Sequence, residues 1–377
     1  MKKIAILGAG MVGRAMAVEL SKKYKVASYD IDSEAIGLLK GKTNIKTGLL
    51  DVKDGSSLAA AVKDSDLVIS AVPGFLGLQT MAKVINLKKD LIDISFMPED
   101  VLYLDPLARD NRVTVVMDCG VAPGLPNYIV GLWNEKMKIE EVLYYVGGLP
   151  KIRKFPFEYK APFSPKDVIE EYMRPSRFVE NGKLVVKPAM SDPELICFES
   201  VGTLEAFNTD GLRSLIYTMK NIPRMKEKTL RYAGHIYLIQ ALKAAGFFEQ
   251  DPVKINGIPV IPFDFTSEIL FNEWKQGIDD PEFTVLRVII TGSDQGSRKE
   301  ITYELYDEFD EVNKVSSMAR TTGFTATATA ELILNKIFDS KGVFPPELVG
   351  KNKECFEFVN QYLSKKNINF KITERIL

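Results

Sequence analysis

Near the start of the chain, Lys3-Ile4-Ala5-Ile6-Leu7 runs directly into Gly8-Ala9-Gly10-Met11-Val12-Gly13-Arg14. A short apolar, β-branched run ends in three glycines spaced G-x-G-x-x-G, and a helical pattern over Met11–Lys22 leaves from them. Each glycine has a steric reason. Gly8 permits the tight turn, Gly10 lets the backbone approach a pyrophosphate without a Cβ, and Gly13 lets the helix sit close to its strand. The amides of Gly10, Met11, Val12 and Gly13 then open the helix, where free N–H groups and the positive end of the dipole favour phosphate.

Working outward, a second strand over Lys25–Tyr29 is closed by Asp30. That is the spacing at which a carboxylate accepts hydrogen bonds from the ribose hydroxyls of a bound dinucleotide. Ile31 and Asp32 follow rather than an arginine, so a 2′-phosphate would meet negative charge and NAD is the expected cofactor rather than NADP. A glycine turn alone would not carry this conclusion; strand, turn, helix and acid together do.

Further strands at Ile45–Leu49, Leu67–Ala71, Leu91–Ile94 and Val113–Met117 alternate with helices such as Ser56–Lys63, whose Leu58, Ala59 and Val62 form an apolar stripe. Alternation of this kind predicts an α/β, Rossmann-type doubly wound parallel sheet. Ligands bind outside the carboxyl ends of such strands. The nicotinamide half should therefore meet Ala71-Val72-Pro73, Ser95-Phe96 and Asp118-Cys119-Gly120, with Gly120, Ala122 and Gly124 giving a thin backbone and Pro123 a stiff turn. Asp51 either touches adenine or caps the next helix.

Beyond Gly124 the texture changes. Glu300–Asp307 alternates, with Ile301, Tyr303 and Leu305 on one face, and Thr284–Thr291 is its expected hairpin neighbour across Gly292-Ser293-Asp294-Gln295-Gly296. Helices are expected over Lys226–Ala245 and Thr325–Phe338, the latter with an Ala326, Ala330, Ile333, Ile337 stripe. A second, mixed α/β domain with a largely antiparallel sheet follows. The expected division is residues 1–122 for the dinucleotide, 123–315 for substrate and dimerisation, and 316–377 as a helical segment returning to the first domain.

Composition narrows the function. At 377 residues, 46% hydrophobic and 26% charged, the chain has the make-up of a soluble globular protein with room for two cores. A net charge of −1 without a basic stripe speaks against nucleic acid as a partner. Cys119, Cys197 and Cys355 lie far apart, as expected of reduced thiols in the cytoplasm. One histidine in the whole chain leaves no His/Cys metal cluster to assemble, so no metal is expected. No apolar run is long enough to span a membrane, and the resemblance of the first residues to a secretory signal fails on three glycines and Arg14.

From Asp118-Cys119-Gly120-Val121-Ala122-Pro123-Gly124-Leu125 onward the sequence resembles the saccharopine dehydrogenase and lysine 6-dehydrogenase family. Gly147-Gly148-Leu149-Pro150, Val201-Gly202-Thr203-Leu204-Glu205-Ala206-Phe207, Lys228-Thr229-Leu230-Arg231-Tyr232-Ala233-Gly234-His235 and Ala319-Arg320-Thr321-Thr322-Gly323-Phe324 extend the likeness over nearly the whole chain. Ala233 departs from the proline more often found there. The segments Pro175-Ser176-Arg177, Asn181-Gly182-Lys183 and Asp192-Pro193-Glu194-Leu195 look most like lysine 6-dehydrogenase. The resemblance implies a homodimer that oxidises the ε-amine of L-lysine with NAD, giving a semialdehyde that cyclises. Saccharopine formation or cleavage is the alternative, and a nucleotide-sensing regulator without turnover a third.

An amino-acid substrate asks for a cation, an acceptor and a proton acceptor. Arg231 and His235, four apart on the expected helix, share a face; Arg231 would hold a carboxylate and neutral His235 would orient the amine or take its proton, or His235 is a hydrogen-bonded structural side chain. Arg320 and Thr322 bind the carboxylate or cofactor, or a threonine there caps a helix. Glu205 and Asp118 are candidates for the α-ammonium, or surface and capping acids.

Overall fold

The alternating strands and helices of the first third form parallel βαβ units in the computed structural model, which describes residues 1–41, 44–162 and 165–377. Strands β1 (Lys3–Leu7), β2 (Lys25–Asp30), β3 (Ile45–Leu49), β4 (Leu67–Ser70), β5 (Asp90–Asp93) and β6 (Thr114–Val116) alternate with helices α1 (Met11–Ser21), α2 (Ser33–Gly37), α3 (Gly55–Val62), α4 (Gly74–Asn86) and α5 (Asp105–Asp110). They pair in the order β3-β2-β1-β4-β5-β6. The direction of winding reverses between β1 and β4, which opens a crevice at their carboxyl ends. Ile4, Ala5, Ile6 and Leu7 of β1 and Leu67, Val68 and Ile69 of β4 are all buried, as two covered faces require.

The second layer system begins with α6 (Leu125–Asn134), β7 (Lys138–Pro150), α7 (Pro165–Met173), β8 (Ser176–Glu180), β9 (Lys183–Lys187), β10 (Glu194–Phe198), β11 (Gly202–Asn208), α8 (Leu215–Thr218) and β12 (Arg224–Arg231). It continues with α9 (His235–Ala244), β13 (Val253–Ile255), β14 (Ile258–Val260), α10 (Pro262–Trp274), β15 (Glu282–Asp294) and β16 (Ser297–Glu308). The long hairpin β15–β16 pairs antiparallel from Phe283↔Glu308 to Asp294↔Ser297, so the strands run through most of the expected loop and only Gln295-Gly296 turns. The sheet order is β10-β11-β12-β7-β15-β16, antiparallel except where β12 lies parallel to β7.

The last stretch is not purely helical. It holds α11 (Ser317–Leu334), β17 (Gly342–Phe344), α12 (Pro346–Gly350), α13 (Lys353–Ser364) and β18 (Phe370–Ile376). β17 adds a seventh parallel strand beside β6, whereas β18 pairs with β16 in the other sheet. α11 packs on α1, and Gly323 makes the approach possible: a Cβ there would stand 3.1 Å from Met16 Cγ.

Two helix expectations need correction. Lys226–Ala245 is a strand followed by a helix, with Gly234 at φ +96° between β12 and α9. β12 is buried on both faces, so its alternation of Glu227, Thr229 and Arg231 against Lys228 and Leu230 lacks the apolar-polar contrast that marks a half-exposed strand. α11 begins at Ser317, not Thr325; Ser316 accepts from the Ala319 amide as its cap, so Arg320, Thr321 and Thr322 sit inside the helix and no threonine caps it.

Candidate functional site

One cleft, with a volume of about 1060 Å³, runs from the glycine turn across the end of the parallel sheet to the face of the second sheet. Gly8, Gly10, Met11, Val12, Gly13, Asp30, Asp51, Ala71, Val72, Pro73, Ser95, Gly120 and Ala122 all line it. The turn is built as its glycines require. Gly8 has φ +105°, and a Cβ on Gly13 would lie 2.0 Å from the Gly8 carbonyl oxygen. Gly10 is different: a Cβ there meets nothing within 4 Å, because the space beside it belongs to the cleft. No side chain caps α1, so the amides of its first turn are left to whatever occupies that space. Those features fit a dinucleotide pyrophosphate.

At the end of β2, Asp30 Oδ2 accepts from the Ala9 amide at 2.6 Å and Oδ1 from the Asp32 amide at 2.9 Å. These bonds lock the carboxylate at the lip of the turn. Asp32 and Glu34 line the same rim, together with Arg14 and Lys53, which the sequence reading did not select. Asp51 belongs to the cleft; the capping role passes to Asp54, whose side chain accepts from the Ser56 and Ser57 amides.

Between the two halves stands Asp118, lining the cleft with φ +51°. Burial pushes its pKa up against the opposing charge of Arg213, whose Nη2 lies 3.1 Å from Oδ1. Arg213 also donates to the Met97 carbonyl, tying the second domain to the loop after β5. Asp93, fully buried at the end of β5, accepts from the Ser95 amide and hydroxyl, and burial raises its pKa to about 7. Neither Arg213 nor Asp93 carries a local sequence motif; each acquires its surroundings only by tertiary packing.

The far end of the cleft is made by α7 against β12. Asp167 and Glu171, four apart on α7, share a face and line the cleft with Thr229 and Arg231. Every guanidinium nitrogen of Arg231 donates: Nε to Tyr172 Oη at 2.8 Å, Nη1 to the Leu230 carbonyl at 2.9 Å and Nη2 to Glu171 Oε2 at 3.2 Å. The Tyr159 ring lies 4.4 Å beneath. Burial opposes the charge, but Tyr159, Tyr172 and Glu171 outweigh it and hold the pKa above that of free arginine.

Other expected residues lie elsewhere. His235, only 3% exposed, is outside the cleft lining; Tyr172 Oη lies 2.9 Å from its Nε2 and the Phe157 carbonyl 2.9 Å from its Nδ1. Burial, with the Arg231 charge nearby, pushes its pKa down to about 3. The neutral ring therefore donates from Nδ1 and accepts at Nε2, which fixes Tyr172 and through it Arg231. Since Arg231 ends a strand and His235 starts a helix, the shared helical face expected for them does not exist. Glu205 accepts from the Gly234 amide, outside the cleft lining. Arg320 is spent on Asp307 and Asp310 and on the Lys366 carbonyl and does not line the cleft, whereas Thr322 does. Gly124 shapes the loop rather than the wall: at φ +141° its Cβ position falls 1.8 Å from the Gly120 carbonyl oxygen.

Comparison with known proteins matches residues 4–116 to the family described as saccharopine dehydrogenase NADP binding domain and residues 118–368 to the saccharopine dehydrogenase C-terminal domain. The chain belongs to the saccharopine dehydrogenase family. A saccharopine dehydrogenase [NADP(+), L-glutamate-forming] of Pyricularia oryzae is 28% identical over 282 residues, covering 68% of this chain and 61% of that protein. An alpha-aminoadipic semialdehyde synthase of Arabidopsis thaliana is 24% identical over 290 residues, 67% of this chain and 27% of that one. The chain thus spans about three fifths or less of these relatives' length. Among solved structures, apo saccharopine dehydrogenase (L-Glu forming) from Saccharomyces cerevisiae superposes with a TM-score of 0.79 at 19% identity over the whole of both chains. Homospermidine synthase from Legionella pneumophila, solved with NAD, gives 0.69 at 13% over all of this chain and 91% of that one. Both show the shared fold. Among the described residues, no helix is long and apolar enough to cross a membrane and no His/Cys/Asp/Glu group is arranged for a metal.

Proposed function

We propose that this protein is a nicotinamide-dinucleotide oxidoreductase acting on the CH–NH bond of an amino-acid derivative of the saccharopine type: hydride leaves the carbon, and water then hydrolyses the imine to a semialdehyde, the oxidised product, and L-glutamate, the released amine. The observation that carries the reading is the continuous cleft that joins the glycine turn to the Glu171–Thr229–Arg231 cluster. Free L-lysine as the sole substrate, the first expectation from sequence, gives way to this reading because the curated relatives that match are named for saccharopine and aminoadipic semialdehyde.

When bound, the dinucleotide supplies the hydride acceptor. The chain's own residues do the rest. Arg231 presents a buried cation whose orientation is set by Tyr172 and His235, suited to a substrate carboxylate if Glu171 lets go of one of its donors. Glu171, on the cleft wall, is placed to take the proton that an amine must lose before its carbon gives up hydride. Gly147 and Gly148 keep the floor low: a Cβ on Gly148 would stand 2.6 Å from Met318 Cε. Asp118 and Arg213 hold the joint between the halves.

The cofactor form follows from the rim. Asp30, Asp32 and Glu34 gather three carboxylates beside the ribose position, so NAD is proposed although the matching family domain and the fungal relative are described with NADP. A homodimer is also proposed, supported by the apolar side chains left exposed on α10 (Phe265, Ile269) and on the β13–β14 hairpin (Val253, Ile255, Ile258). Three free cysteines accord with the cytoplasmic placement proposed with it. The deciding assay supplies saccharopine with NAD or NADP and follows reduced cofactor and L-glutamate. Turnover with saccharopine and none with lysine alone is expected, faster with NAD; turnover with lysine alone and none with saccharopine would reverse the assignment.

A further inference from the structure

β12 presents Glu227, Thr229 and Arg231 on one face, two residues apart, toward α7. Only the last two reach the cleft. Glu227 lies behind them, 3% exposed, with no ion pair among the described residues. Its Oε2 is 2.5 Å from Thr209 Oγ1 and accepts from the Gly211 amide at 3.1 Å. Thr209 Oγ1 is 2.8 Å from Thr229 Oγ1, which in turn lies 2.7 Å from Glu171 Oε1. Two hydroxyls thus connect a buried carboxyl group to the carboxyl group on the cleft wall without a gap.

We propose that Glu227 exchanges a proton with Glu171 through the hydroxyls of Thr209 and Thr229, and so serves as a positioning residue that stores the proton the reaction handles. The use of that proton rests on the reading of the cleft given above; the connection does not. In the reducing direction the product nitrogen takes the proton from Glu171. Thr229 then passes its hydroxyl proton to Glu171 Oε1, Thr209 passes its own to Thr229, and Glu227 Oε2 passes its own to Thr209. One O–H bond breaks and one forms at each hydroxyl, no electron pair changes owner between redox states, and one proton has moved from Glu227 to the nitrogen. Oxidation runs the chain backward.

The surroundings suit storage. Facing Glu227 are Glu171 from α7, Thr209, Asp210 and Gly211 from the turn after β11, and Tyr144 from β7, whose hydroxyl donates to the Gly211 carbonyl. Asp210 is engaged by Arg177, with Arg174 Nη1 at 3.8 Å, and Arg231 holds Glu171, so the nearby cations face the other acids; among the described residues none forms an ion pair with Glu227. Burial, reinforced by the nearby charges of Glu171 and Asp210, raises its pKa to about 8, which keeps a proton on it at neutrality.

The test uses the full chain. Glu227→Gln preserves the size and the contacts to Thr209 and Gly211 but cannot titrate. It is expected to remove the limb near pH 8 from the kcat profile with saccharopine while leaving KM for the dinucleotide unchanged; a profile identical to that of the parent overturns the proposal. Thr229→Val and Thr209→Val should each lower kcat about tenfold, with Thr229→Ser restoring it. Infrared titration of the ligand-free protein needs no substrate: a protonated-carboxyl stretch that fades near pH 8, is missing from Glu227→Gln and is displaced in Thr209→Val supports the connection even if no amino acid is turned over. Absence of that band in the parent overturns it even if saccharopine is a substrate.

Discussion

The two ends of the cleft are built by opposite means. At the nucleotide end the chemistry is backbone: amides at the start of α1 and a carboxylate locked by two further amides, all within a short contiguous stretch. At the proposed substrate end it is side chains, brought from α7 and β12 and hydrogen-bonded to one another. A site made of backbone has no side chain to lose, and at Gly8 and Gly13 it has no room for a Cβ. A site made of paired side chains tolerates substitution poorly for another reason, since removing one partner strands the next in a poorly solvated place.

That contrast can be broken most forcefully at Arg231. Arg231→Met should cost about 3–5 kcal/mol in denaturant unfolding, because Glu171 and Tyr172 lose their donor, while NADH titration at low temperature still saturates. Loss of dinucleotide affinity together with stability would show that the halves are not separable in this way.

A somewhat smaller effect comes from His235, whose folded pKa of about 3 lies below the ordinary 6.5. The unfolded chain takes up a proton as pH falls through 6.5 and the native ring does not, so stability is complete above that value and declines below it, by roughly 3 kcal/mol at pH 4. His235→Gln should flatten this slope by one proton. The single imidazole of the chain makes the direct check simple: its proton NMR shift should stay constant from pH 7 to 5, and a titration there would mean that the ring is not held as described.

Gly10→Ala sharpens the contrast from the other side. Its Cβ meets no protein atom, so unfolding free energy should move by under about 1 kcal/mol, whereas NADH affinity should fall ten- to a hundredfold, about 2 kcal/mol. The smallest pair of effects lies after β3. Asp54→Ala should cost about 1 kcal/mol of stability with affinity intact, and Asp51→Asn a few-fold in affinity with stability intact. Exchange of those two outcomes would reverse their assigned roles.

The same contrast explains what could be read in advance. Gly8 to Gly13 and Asp30 declare themselves because the turn, the strand and the helix are local, and the doubly wound parallel class was expected from them and the alternation that follows. Arg231 was selected, but on a helix that is a strand. Glu171 and Thr229 were not seen as site residues at all, since the only link between α7 and β12 is three-dimensional. His235 misled for a physical reason: a lone imidazole titrates near neutrality in water, and nothing in the sequence tells how deeply Phe157, Tyr159, Tyr172 and Trp274 enclose it. Arg320 misled likewise, its acids Asp307 and Asp310 lying on the far side of a turn from its helix.

The parallel sheet gets its seventh strand from Gly342–Phe344, beyond every strand of the other sheet except β18. As the polypeptide leaves the ribosome, the dinucleotide-binding part must wait with Thr114–Val116 as an open, apolar border, able to template a wrong partner. Synthesis order therefore sets a delay between collapse of the N-terminal part and its final closure. A chain stalled before Gly342 should be the aggregation-prone species.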